Sequence, residues 1–62
     1  MSQNLPVTYT VEQVAQILHR TPETIRRLIN QGKIPAAKIG GRFVITEETL
    51  QKLLRGEIKA DD

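Results

Sequence analysis

Three threonines, Thr10, Thr21 and Thr46, each stand just before a short amphipathic run, and this punctuation constrains the chain more than any other feature. Thr10 carries Gln13 three residues on, the pairing in which a hydroxyl and a side-chain amide satisfy each other's backbone donors at a helix start. Tyr9 before that cap and Val14 after it are spaced for a hydrophobic staple. Val11, Val14, Ala15 and Leu18 then recur at i, i+3, i+4 and i+7, which predicts a helix over 11–18 with one apolar stripe.

His19-Arg20 breaks that helix, and Thr21-Pro22 restarts another with a hydroxyl cap and a proline at the first helical position. The second helix is expected over 22–31, with Ile25, Leu28 and Ile29 inward and Gly32 as its stop. Projected at about 100° per residue, the opposite face holds Glu23, Arg27 and Asn30, with Thr24 and Arg26 on the flanks. Two short helices joined by a tight turn form a helix-turn-helix pattern.

After Ile34-Pro35, two β-prone runs flank Gly40-Gly41, the glycine pair that a two-residue hairpin turn requires. Ile39, Phe43 and Ile45 are the expected inward residues. Thr46 caps a third helix whose first turn places Glu47 and Glu48 where the helix dipole favours negative charge. Leu50, Leu53 and Leu54 form its apolar face, Ile45 and Leu50 can staple its start, and Gly56 ends it. The expected architecture is mainly α with a small β-hairpin, a minimal winged helix-turn-helix in the order helix, helix, hairpin wing, helix. Residues 8–56 make its folded domain. Residues 1–7 form an arm in which Pro6 keeps Leu5 and Val7 extended, one of them laid on the core, and residues 57–62 form a charged, disordered tail.

With 62 residues the chain is one small domain, able to bury only about 60% of its unfolded surface. It has no cysteine, so neither a disulfide nor a thiolate metal site is available. No apolar run approaches the roughly 18 residues of a membrane span, and the N-terminus lacks a signal-peptide layout, so a cytoplasmic protein is expected. Enzymatic chemistry is not expected. Ser2 and His19 are the single serine and histidine, and they offer no nucleophile–base pair. Gly40-Gly41 lies between strands rather than before a helix, so it is no phosphate-binding loop. No cofactor, metal or small-molecule substrate is implied.

The charge is unevenly placed. The window 20–42 holds Arg20, Arg26, Arg27, Lys33, Lys38 and Arg42 against Glu23, whereas residues 1–19 carry only Glu12. Residues 43–62 are acidic on balance, with three bases and five acids. A net charge of +2 therefore hides a basic middle, the footprint of a surface that meets a polyanion.

The segments TVEQVAQIL, TIRRLINQGKIPA and KIGGRFVI, in that order and spacing, resemble the excisionase-type and MerR-like winged helix-turn-helix family of small bacterial and phage DNA-binding domains. The resemblance covers about residues 8–54. It implies that the second helix enters the major groove with Glu23, Thr24, Arg26, Arg27 and Asn30. It further implies that the wing touches the adjacent minor groove or backbone with Lys38, Gly41 and Arg42. Arg20, Thr21 and Lys33 stand beside these as supporting contacts. Two departures stand out. The turn between the first helices usually has a glycine and a small apolar residue, where this chain has His19 and Arg20. The wing strand commonly continues with an aromatic and a further base, where this chain has Phe43 and Val44, one contact fewer.

Individual side chains keep two readings. Arg26 and Arg27 can fork onto guanine O6 and N7 or clamp phosphate. Glu23 either accepts from cytosine N4 or simply favours its helix N-terminus. Lys38 and Arg42 serve as wing contacts or as edge charges that discourage strand pairing. The resulting expectation is sequence-selective double-stranded DNA binding, bending the duplex by analogy, with further copies of the chain or an integrase as partners. An excisionase-like recombination directionality factor is the leading role. A small transcriptional regulator uses the same surface. A protein–protein adaptor of the phage-packaging or antitoxin type is the alternative of another class, with helix 3 or the tail as its contact.

Overall fold

The computed structural model describes residues 7–59, so the placement expected for Leu5 and the last three residues of the tail lie outside the described residues. Its elements are β1 (Thr8–Tyr9), α1 (Val11–Leu18), α2 (Pro22–Asn30), β2 (Ala37–Ile39), β3 (Arg42–Thr46) and α3 (Glu47–Leu54). The three helices and the hairpin fall where the sequence puts them. The winged helix-turn-helix architecture is therefore the observed one.

Each threonine acts as its helix's N-cap, accepting from the backbone N–H three residues on, at Gln13, Thr24 and Thr49. At α1 the capping box closes, because the Gln13 side chain accepts from the Thr10 N–H at 2.9 Å. The three C-termini share one motif. At α2 the Lys33 N–H reaches Leu28 O at 2.9 Å and the Gly32 N–H reaches Ile29 O at 3.0 Å. Glu57 and Gly56 repeat these bonds at α3, to Lys52 O and Leu53 O. Arg20 and His19 repeat them at α1, to Ala15 O and Gln16 O. There the left-handed position belongs to His19, with φ 59°, rather than to glycine.

The hairpin turns through Gly40-Gly41, both at positive φ, so Ile39 pairs with Arg42 and Lys38 with Phe43. This register corrects one expectation. Phe43 and Ile45 share a face, and the residue opposite Phe43 on that face is Lys38; Ile39 projects to the other side and is 64% exposed. The sheet also has a third strand, which the sequence pattern did not reveal. β1 pairs antiparallel with β3, matching Thr8 to Thr46 and Tyr9 to Ile45, to give the order β1-β3-β2. Val7, just outside it, is exposed, yet its carbonyl accepts from the Glu47 N–H at 3.0 Å.

The core comprises Val11, Val14 and Ala15 of α1, Ile25, Leu28 and Ile29 of α2, Ile34, Ile45, and Leu50 and Leu53 of α3. Ile34 enters it because the turn after Gly32 carries the chain back under α2, its N–H directed at Leu28 O. Leu54, expected on the apolar face of α3, is exposed; Ile58, returned by the turn at Gly56, packs against the core instead. Glu57 and Ile58 are thus held against α3 rather than disordered. Tyr9 is half-buried between the sheet and α3, and its hydroxyl donates to Glu47 Oε1 at 2.9 Å.

Candidate nucleic-acid interface

The packing of α1 against α2 and of the sheet beside them leaves a groove of about 490 Å³. Thr10, Val11 and Glu12 from the start of α1 form one wall. Arg26 from the flank of α2 and Lys38, Gly41, Arg42 and Phe43 from the hairpin complete it. Buried Val11 and half-buried Phe43 supply the apolar part of the lining, while three cations and one carboxylate supply the charge.

Four of the residues expected to make contacts, Arg26, Lys38, Gly41 and Arg42, meet in this groove although one comes from α2 and the others from the hairpin. The hairpin register makes the meeting possible. Because Lys38 lies opposite Phe43, its stem runs along the inner face of the wing, and its Nζ stands 5.6 Å from the centre of the Phe43 ring. An ammonium over an aromatic face is attracted by the ring's electron density, which biases Lys38 toward the groove.

Glu23, Arg27 and Asn30 are exposed on the outer face of α2, away from Ile25, Leu28 and Ile29. Thr24 is half-buried, and its hydroxyl lies 2.9 Å from that of Thr21, so both are engaged in the cap. Arg20 and Lys33, both exposed, flank α2 at its two ends, separated by the length of a nine-residue helix, about 13 Å. Among the described residues, no carboxylate pairs with Arg20, Lys33, Lys38 or Arg42. Those charges remain available to an external anion.

Arg26 differs from them. Its Nη2 donates to Glu12 Oε2 at 2.7 Å, joining α2 to the first turn of α1 across 14 residues of sequence. Glu12 enters the sequence only as the one acid of residues 1–19, and no local pattern links it to Arg26. Only the crossing of the two helices brings it to Arg26. Among the described residues there is no cluster of His, Asp or Glu that could hold a metal ion, and no helix is long and apolar enough to cross a membrane.

A family model described as a helix-turn-helix domain matches residues 8–58, nearly the whole described chain. No match is found among curated proteins or among solved structures.

Proposed function

The chain belongs to the helix-turn-helix domain family, a family of DNA-binding domains, and on that premise we propose that it binds duplex DNA selectively through α2 and the hairpin together. One observation carries this reading: Arg26 of α2 lines the same groove as Lys38 and Arg42 of the wing. A strand of duplex passing between a helix in the major groove and a wing in the neighbouring groove runs over such a junction. Glu23, Arg27 and Asn30 then face base edges, while Arg20, Thr21, Thr24 and Lys33 border the phosphates.

Within this reading the protein acts in the cytoplasm as an architectural factor. One domain this small reads too few base pairs to find a site alone, so several copies side by side, or an integrase, complete recognition. An excisionase-like role follows from the resemblance of TVEQVAQIL, TIRRLINQGKIPA and KIGGRFVI, and a transcriptional regulator is its counterpart on the same surface. An integrase-dependent excision assay separates the two: the excision reading expects the recombined product to depend on the protein, and unchanged directionality contradicts it. DNA binding itself is tested by replacing Arg26, Arg27 and Arg42 together with alanine. Wild type should bind random duplex at low salt and the triple variant should lose most of that affinity. Equal binding by both, or none by either, favours the adaptor alternative.

A further inference from the structure

We infer that Glu12 is a positioning residue, holding the Arg26 guanidinium so that it reads DNA as an oriented donor rather than as a mobile positive charge. The inference rests on the DNA-binding reading above and deepens it.

Glu12 is the one carboxylate lining a groove that otherwise carries Arg26, Lys38 and Arg42. It lies where a polyanion is expected, so it opposes general attraction. Fold stability does not account well for its pairing, because both partners are largely exposed and exposed ion pairs contribute little. Nor does α1 depend on it for capping, since Thr10 and Gln13 already satisfy each other.

The geometry offers a more specific role. A single contact, Nη2 to Oε2 at 2.7 Å, occupies one N–H donor of the guanidinium. An arginine has five N–H donors in a rigid fork, so the other donors stay open to a base or phosphate oxygen while the carboxylate restrains where the fork sits. The pair is neutral as a unit. Arg26 therefore gains little from a featureless phosphate and keeps its affinity for an acceptor set at the right place. On a duplex lacking that acceptor, the neutral pair adds no attraction of its own, and replacing Glu12 would free a positive charge for any phosphate. Both effects widen the gap between specific and non-specific binding.

The test uses the full chain and two probes of equal length: a duplex enriched by wild type from a randomised pool, and a mixed-sequence duplex. Glu12→Gln should bind the mixed duplex about two- to fivefold tighter, and its salt dependence should steepen by roughly one unit of log–log slope. Its ratio of specific to non-specific affinity should fall about tenfold. Glu12→Asp keeps the charge and the dipole but shortens the reach; it should lose ratio without the non-specific gain. In an Arg26→Lys background, which keeps the charge and removes the fork, Glu12→Gln should change the ratio no further. A ratio unaltered in both Glu12 variants overturns the inference, as does an equal effect of Glu12→Gln with and without Arg26. If wild type binds neither probe, the DNA reading itself fails; if wild type is selective and the Glu12 variants are equally so, only the positioning role fails.

Discussion

The Tyr9 hydroxyl donates a 2.9 Å hydrogen bond to the Glu47 carboxylate, tying the strand that precedes α1 to the first turn of α3, 38 residues away. Glu47 also accepts from Gln51 Nε2 at 3.2 Å, and its own N–H donates to the Val7 carbonyl. It does more than complement a helix dipole. It anchors β1 to the start of α3.

This contact makes a pH-dependent prediction. The hydrogen bond to Glu47, then partial burial and the carboxylate's charge, hold the Tyr9 hydroxyl above its ordinary pKa of 10.0. A group raised in the folded state stabilises while protonated, so its contribution is complete below about pH 10 and is lost as pH rises through the folded value. As pH rises above about 10, denaturant midpoints should fall more steeply in wild type than in Tyr9→Phe. Parallel curves for the two proteins contradict the contact.

His19 is the second case. It occupies the left-handed C-terminal position that Gly32 and Gly56 hold at the other two helices, and a residue with a Cβ is strained there. His19→Gly should therefore stabilise the protein by about 1 kcal/mol, after the entropy glycine adds to the unfolded chain. For a domain of this size that is a rise in Tm of roughly 4–8 °C, measurable by thermal unfolding. No rise, or a fall, means the histidine side chain has a compensating contact.

At the tip of the wing, Gly40 and Gly41 both have positive φ, and a Cβ at either would meet nothing within 4 Å. Substitution there is costly through the backbone alone. Gly41→Val should destabilise the hairpin by about 2 kcal/mol, whereas Gly40→Asn should be tolerated, because asparagine enters the left-handed region readily. Amide exchange of β2 and β3 reports the difference.

The cations bear on salt dependence. With about five phosphate contacts, affinity should fall with a log–log slope of about −5. Lys38→Ala and Arg42→Ala should each make that slope shallower by about one unit, uniformly across sequences. Titration at several salt concentrations checks this; an unchanged slope removes the wing from the interface.

The sequence was most informative where structure is local. The caps at Thr10, Thr21 and Thr46 and the turn at Gly40-Gly41 follow from rules that span four residues, and all appear as read. Long-range relations were less legible. β1 is only two residues, and Thr8-Tyr9 becomes a strand because β3 offers its edge, not because of any alternation of its own. The outward position of Ile39 was implicit in the two-residue turn, which sets it opposite Arg42; hydrophobicity alone argued the other way. Leu54 shows the same limit, since Ile58 takes the core contact after the turn. In the interface, periodicity identified the faces of α2, but the joining of Arg26 to Glu12 and of Lys38 to Phe43 needed three-dimensional packing.

The central claim is that α2 and the wing form one surface for duplex DNA. Backbone amide shifts recorded during titration with a short duplex test it most directly. The account predicts changes concentrated at Glu23, Arg26, Arg27 and Asn30 and at Lys38 to Arg42, with Gln51 and Leu54 of α3 unmoved. Changes centred on α3, or on α2 with the wing silent, would contradict it.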